Sequence, residues 1–207
     1  GDSAFSDNII NCKKNNTVIS FDRSKGFLKV EAGITLSQIL STIIPYGWFL
    51  GVTPGTKYST LGGAIASDIH GKNHHINGCF SEYVSDIDLM LPSGSIVTLV
   101  KENELFKATC GGMGLTGVIV SATIRLVKIK STNINQTTIK TANLSETFNV
   151  FDKYADETYS VAWFDGFASG SAFGRSIIQI GDFSTDGDLK FKDQSIKFIP
   201  FKLFSFF

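Results

Sequence analysis

The sequence predicts a folded chain of mixed α and β structure whose strands pair in antiparallel hairpins. Three observations carry that expectation. One helix is marked at both ends: Thr35 stands three residues before Gln38, Leu36, Ile39, Leu40 and Ile43 recur at i, i+3, i+4 and i+7, and Pro45 closes it. Apolar and polar residues alternate along residues 118–128. Two further pairs of β-rich runs are joined by short polar turns, at 22–26 and at Pro92-Ser93-Gly94.

In chain order, strands are expected at 17–21 and 27–32, followed by the capped helix. Residues 51–80 fit no single period. Six Gly and three His interrupt short apolar pieces there, so a structured loop with at most one short helix is expected. A hairpin, 84–91 with 95–100, comes next, then a short helix at 102–108 and a second Gly-rich piece at 110–117. Along the long strand, Val120, Ala122, Ile124 and Leu126 share one face, with Ser121, Thr123 and Arg125 on the other. At 131–141 the composition turns polar and rich in Asn and Thr, which places a domain boundary near residue 130. Asn143 and Glu146 would cap a helix with Leu144, Phe148 and Phe151 on its buried side. Strands at 158–164, 175–180 and 195–198 complete the expectation.

Composition narrows the function classes. The 207 residues carry 19 Lys plus Arg against 19 Asp plus Glu, so the basic footprint of a nucleic-acid binder is missing. Cys12, Cys79 and Cys110 form no CxxC pair, and their odd number argues against a disulfide framework. No apolar run reaches the ~18 residues of a membrane-spanning helix. The chain opens Gly1-Asp2-Ser3 without an initiator Met and closes in a Phe-rich stretch, and is expected to be a piece of a longer protein.

The first Gly-rich stretch carries the strongest chemical signal. Pro54-Gly55-Thr56 is a tight turn, and Leu61-Gly62-Gly63-Ala64-Ile65-Ala66 offers small residues where a backbone can approach a ligand. Successive N–H groups could converge on an anion, with Thr60 and Ser67 adding hydroxyl donors. A diphosphate suits such a surface without Lys or Arg. An ordinary Gly-rich loop is the competing reading, since neither the GxGxxG nor the GxxxxGK[ST] fingerprint is present. His70, His74 and His75 near Asp68 raise the question of a metal. Gly71 and the missing HExxH count against zinc, so one imidazole facing a ligand is preferred and no metal site is assigned. Lys72 either gives that pocket a positive end or is a solvated surface Lys. Cys110 reads as a buried structural thiol rather than a nucleophile. Gly111 to Gly114 form a second ligand-facing loop or merely a turn. Two such loops would suit a long cofactor that spans both. Trp163 and Phe164 are expected in the core.

The segment PGTKYSTLGGAIASDIHGKNHH, with the later CGGMGLTGVIVSATIRL, resembles the FAD-binding domain of the vanillyl-alcohol-oxidase/PCMH superfamily. Within it, GGAIASDIHGKNHH is similar to the decaprenylphosphoryl-β-D-ribose 2′-oxidase flavoproteins, and YSVAWFD at 159–165 resembles the start of their substrate domain. The resemblance covers roughly residues 1–180. It implies an α+β fold, with an N-terminally truncated PCMH-type FAD-binding domain over 1–130. The first part of a substrate domain with an antiparallel sheet would follow over 131–207. It implies FAD as cofactor, contacted by Gly1, Asp2, Gly55, Thr60, Leu61, Gly62, Gly63, Ser67, Asp68, Ile69, His70 and Ile119. His70 and Lys72 would stand beside the isoalloxazine on the substrate side as the candidate catalytic residues.

The implied reaction is hydride transfer to flavin from a secondary alcohol of a sugar, expected to be the 2′-hydroxyl of a polyprenylphosphoryl ribose. A quinone or oxygen would accept the electrons, a keto-sugar reductase would be the partner enzyme, and the role would lie in cell-wall biosynthesis. A lipid-linked substrate implies a peripheral position at the inner membrane, on either its cytoplasmic or its periplasmic face. The rival readings are an aldonolactone or alditol oxidase on the same fold, and an FAD-binding module without turnover. The first flavin motif is cut, so these residues do not reveal how the flavin is linked.

Overall fold

The computed structural model describes residues 9–191. Gly1, Asp2 and the strand expected at 195–198 lie outside them. The described chain builds two antiparallel sheets. The first has six strands: β1 (Val18–Asp22), β2 (Phe27–Glu31), β3 (Trp48–Leu50), β4 (Val84–Met90), β5 (Ile96–Val100) and β6 (Val118–Lys128). Their order is β1-β2-β6-β4-β5, with β3 pairing the far end of β6. The second sheet has the order β7 (Ile134–Thr141), β9 (Ser176–Phe183), β8 (Tyr159–Phe164). The helices are α1 (Leu36–Ile43), α2 (Leu61–Ala66), α3 (His74–Asn77), α4 (Glu104–Thr109) and α5 (Leu144–Lys153).

Helix α1 forms for the reasons its sequence gives. Gln38 N–H donates to Thr35 Oγ1 at 3.2 Å and Thr35 N–H to Gln38 Oε1 at 2.9 Å, a complete capping box. Leu36, Ile39, Leu40 and Ile43 are buried against the first sheet. The helix ends at Ile43, as Pro45 predicts, and the chain continues through a 3-10 turn, Ile44–Tyr46, that holds Pro45. The three-residue β3 that follows is too short to show a period in sequence. Its Trp48 is nonetheless an anchor. The indole N–H donates to Arg23 O at 3.0 Å, and the ring packs where a Cβ on Gly26 (φ +74°) would stand, so only glycine fits that turn.

Several expectations need correction. Residues 51–80 hold two α-helices, α2 and α3, rather than at most one, plus a 3-10 turn at Phe80–Tyr83. Gly62 and Gly63 disfavour a helix, but Thr60 caps α2 and Leu61, Ala64 and Ile65 anchor it in the core, so tertiary burial overrides propensity. The alternation in β6 is broken. Asp88 pairs Ser121 while Leu89 pairs Ile119, a bulge that leaves Val120 out of register. Ile119 is thereby buried along with Ala122, Ile124 and Leu126, while Val120 is only half-buried. Ser121 is also buried, because it bonds Asp88. The polar 131–141 stretch contains strand β7, whose exposed edge needs no apolar residues. Helix α5 exists as capped, but Leu144 and Phe148 are exposed. It rests on its sheet through buried Thr147, whose hydroxyl meets Thr141 Oγ1 at 2.8 Å and donates to Gly174 O at 3.1 Å. Trp163 and Phe164 are not core: they are 65% and 68% exposed near the tip of β8.

The two sheets meet beside α3. Phe183 stacks edge-on against Phe49 and Tyr159, at 5.1 and 5.8 Å between centroids. Ser160 N–H donates to Lys72 O at 3.1 Å, and His75 Nε2 donates to Glu157 O at 3.1 Å.

Candidate functional site

Two clefts flank the 53–75 segment. The first holds about 560 Å³. It runs between the start of α2, the end of β2 and the second Gly-rich loop, with residues 9–13 along one wall. Thr60, Gly62, Gly63, Gly114 and Ile119 line it. A Cβ on Gly63 would meet only Thr60 Oγ1, at 3.3 Å, and one on Gly114 would meet nothing within 4 Å. Both glycines therefore present bare backbone to the open cleft, and any side chain there would fill it. The structure thus brings both Gly-rich stretches to one cavity, whose size falls within the usual range for cofactor sites.

The expected anion cradle of consecutive N–H groups is not formed by α2. Leu61 N–H donates to Ile34 O and Gly62 N–H to Ala32 O, both at 2.8 Å, and Gly63 N–H goes to its own cap, Thr60 Oγ1. The chain leaving β2 lies against the helix start and uses these donors. What α2 gives the cleft is close-approach surface, not unpaired donors. Leu61 itself is fully buried in the core.

The other candidate residues divide as follows. Asp68 has a left-handed backbone (φ +38°), and its carboxylate accepts from Ser81 N–H at 2.9 Å and Ser81 Oγ at 3.0 Å. It holds the 3-10 turn in place. Ile69 packs partly buried against the core, and Ser67 is exposed. Gly55, His70 and Lys72 line a second cleft region with Thr53, Tyr159 and Ser160. The neighbouring cavity shares Thr53, Lys72, Tyr159, Ser160 and Val161 and continues to Phe49, Gln179 and Phe183. Lys72 thus stands where the two sheets face each other.

The three imidazoles are neighbours without being a ligand set. His70 pairs with Cys79 in a β-bridge and His74 opens α3, so the two do not share a helix face. Their rings lie 5.8 Å apart, edge to face, and His74 Nδ1 donates to Gly71 O at 3.2 Å. Among the described residues, no three His, Cys, Asp or Glu side chains gather as a metal would require. Burial, helped by the charge of Asp68, pushes the Cys110 thiol up to about 11, so it stays protonated and inert near neutral pH. Burial, with Asp182 and Tyr83 nearby, pushes the Tyr159 phenol up to about 12. It therefore faces the second cleft as a neutral hydroxyl. Sequence reasoning missed Asn73, which is 2% exposed beneath this loop.

Comparison with known proteins now defines the class. Residues 1–100 match the family model described as FAD binding domain. Over those residues the chain is similar to a PCMH-type FAD-binding domain, which supports FAD as the cofactor, and the described residues set it in an α+β frame of antiparallel sheets. Among individual proteins, it is 37% identical over 171 residues to decaprenylphosphoryl-beta-D-ribose oxidase of Mycolicibacterium smegmatis, covering 80% of this chain and 37% of that protein. An uncharacterized Streptomyces coelicolor protein from the mprA 5′ region is 33% identical over 150 residues, 72% of this chain and 41% of that one. Human Delta(24)-sterol reductase is 30% identical over 115 residues, 55% of this chain and 22% of its own. The chain therefore spans about two fifths of the length of the first two of these relatives.

Proposed function

We propose that the chain is the cofactor-binding part, with the beginning of the substrate-binding part, of an FAD-dependent oxidoreductase. Its substrate would be a sugar held through phosphate to an apolar tail, expected to be a polyprenylphosphoryl ribose. FAD, when bound, supplies a hydride acceptor. The sugar carbon gives up hydride and its hydroxyl a proton, which leaves a keto sugar.

The observation that carries this reading is the chemistry of the second cleft. Lys72 lines it together with His70, Tyr159 and Ser160 and provides a cation there. From there one face of the second sheet runs outward. Tyr159, Val161 and Trp163 alternate onto that face. Trp163 is paired with Ile177, Val161 with Gln179 and Tyr159 with Gly181. Trp163 and Ile177 are 65% and 44% exposed. A cation leading onto the apolar edge made by Tyr159, Val161, Trp163 and Ile177, with Gln179 the polar residue beside them, suits a phosphate followed by a hydrocarbon chain. Lys72 would hold the phosphate, His70 and the neutral Tyr159 hydroxyl would orient the sugar, and the apolar edge would take the tail. The identity to the Mycolicibacterium oxidase supports the same substrate class. Electrons would pass on to a quinone or oxygen and a keto-sugar reductase would consume the product. So apolar a substrate would also place the work at a membrane surface.

The test uses the whole protein and its Gly63→Leu variant. Farnesylphosphoryl ribose should bleach the flavin of the wild type, and Gly63→Leu should fold but purify colourless. Bleaching by a ribonolactone or an alditol but not by the prenylphosphoryl sugar would replace this reading with a lactone or alditol oxidase. A flavin that no polyol bleaches would leave a binding module.

A further inference from the structure

We propose that Asn73 is the positioning residue of this site: its buried amide holds the Gly71–Lys72 loop at the height that carries Lys72 and His70 into the cleft. The inference rests on the role just proposed for that loop, and it adds the device that sets the loop's place. Asn73 Nδ2 donates twice, to Gly51 O at 2.8 Å and to Asn77 Oδ1 at 3.0 Å. Both partners are acceptors, which fixes the amide's orientation, because a flipped amide would set oxygen against oxygen. Asn77 Nδ2 then donates to Tyr83 OH at 2.9 Å. The Tyr83 ring in turn packs directly against Gly51, where a Cβ would stand, and Arg125 lies 4.8 Å over it. A closed chain of contacts thus runs from the end of β3 through Asn73 and Asn77 to Tyr83 and back.

The remaining atom of that amide shows what the arrangement is for. Asn73 Oδ1 is buried and accepts no hydrogen bond among the described residues. An apolar residue of similar size would remove this unpaired acceptor, so the amide's value lies in its two donors. The loop it anchors has no slack. A Cβ on Gly71 would stand 2.6 Å from Thr53 O and 2.9 Å from Asn73 Oδ1. Lys72, one residue on, uses its carbonyl to accept Ser160 N–H from the second sheet. Asn73 therefore sets both the reach of Lys72 and the seat of β8 beside it. Gly63, Gly114 and Ile119 line the first cleft and lie outside this loop, so loosening it shifts at most His70 among the expected FAD contacts and should leave flavin content largely unchanged.

The test has two arms in the whole protein, using Asn73→Leu and Asn73→Asp, with Asn77→Ala as the milder variant should those two fail to fold. In the first arm, amide hydrogen exchange is followed on FAD-free protein. Ser160 and residues 71–77 should exchange at least tenfold faster in the variants, while β6 keeps its protection. Unchanged exchange in a folded variant would overturn the inference, whatever the substrate proves to be. In the second arm, flavin content should match the wild type while KM for farnesylphosphoryl ribose rises about tenfold. Adding Lys72→Met should then cost little more, because the two changes disable one device. Fully additive losses would show that Asn73 does not act through Lys72. If Lys72→Met alone leaves KM unchanged, the phosphate role of Lys72 falls, and the exchange arm still decides the role of Asn73.

Discussion

Replacing Asp88 by Asn should cost the protein about 1–2 kcal/mol near neutral pH and much less in acid. Asp88 stands on β4 at the centre of the polar face of the first sheet, 17% exposed. Its carboxylate accepts from Thr98 Oγ1 of β5 at 2.7 Å and Ser121 Oγ of β6 at 2.6 Å, and pairs with Lys29 Nζ of β2 at 2.7 Å. Burial pushes its pKa up, but the hydrogen bonds from Lys29, Ser121 and Thr98 outweigh that and leave it below the usual carboxylate value. The stability this depressed group contributes is fully present above its unfolded value of about 3.9 and is lost as pH falls through the folded one. The magnitude stays modest for two reasons. Asn keeps the shape and one acceptor, and Lys29, 30% exposed, can turn to water and to Asp86 Oδ1 at 3.7 Å. The assay is urea unfolding of wild type and Asp88→Asn near pH 7 and near pH 3, with the gap narrowing at about pH 3. An equal loss at both pH values would refute the reasoning, because it would trace the cost to packing and not to charge. The same variant should weaken FAD binding slightly, since the Asp88–Ser121 pair sits beside the bulge that seats Ile119.

Three further expectations follow from the site. Thr60→Ala removes the α2 cap, should cost about 1 kcal/mol, and should raise the Kd for FAD measured by flavin titration. Cys110, with its thiol held up at about 11 by burial, should label with iodoacetamide very slowly near neutral pH and faster as the pH climbs towards that value. Rapid labelling near neutrality would show the thiol to be exposed and activated. Trp163→Ala should raise KM for farnesylphosphoryl ribose about tenfold, from a loss of roughly 1.5 kcal/mol of apolar contact, while a tailless ribose phosphate is unaffected.

What was legible in the sequence is what local chemistry decides. Helix α1 has a cap, an apolar stripe and a proline, and these agree, so its start and buried face were readable. The β4–β5 hairpin and β6 were readable for similar reasons. Strand β7 was not, because an edge strand with seven of its eight residues outside the core has no apolar alternation to display. Nor was the bulge at Val120, which flips the face of Ile119 through a pairing only the folded sheet contains. Thr60, Gly62 and Gly63 stood out from the glycine-rich stretch and Ile119 from the family resemblance, and all four line one cleft. The burial of Leu61 and the use of its N–H were not readable, because they depend on the segment Ala32–Ile34, far off in sequence. Asn73 left no sequence signal beyond an amide next to a glycine-bearing loop, since its partners at Gly51 and Asn77 become neighbours only after folding.

The division between the two sheets also bears on how such a chain could serve different substrates. The Mycolicibacterium oxidase and the human sterol reductase are both similar to this chain, and their names point to unlike substrates. The cleft that would take the cofactor on the proposed reading is lined in good part by backbone: Gly62, Gly63 and Gly114 present no side chain that could read a substrate. The side chains that could do so are Lys72, on a loop of the first sheet, and Tyr159, Val161 and Trp163, on a strand of the second. On the proposed reading, selectivity then depends on how firmly these two groups are held against each other. Three contacts among the described residues bear on this: the Phe49–Phe183–Tyr159 ring cluster, the Ser160 N–H bond to Lys72 O, and the His75 bond to Glu157 O. Two of these three involve the segment that Asn73 anchors. A change at this seam could therefore retune the substrate while leaving the FAD cleft as it is, which a substitution inside the glycine-lined cleft could not do.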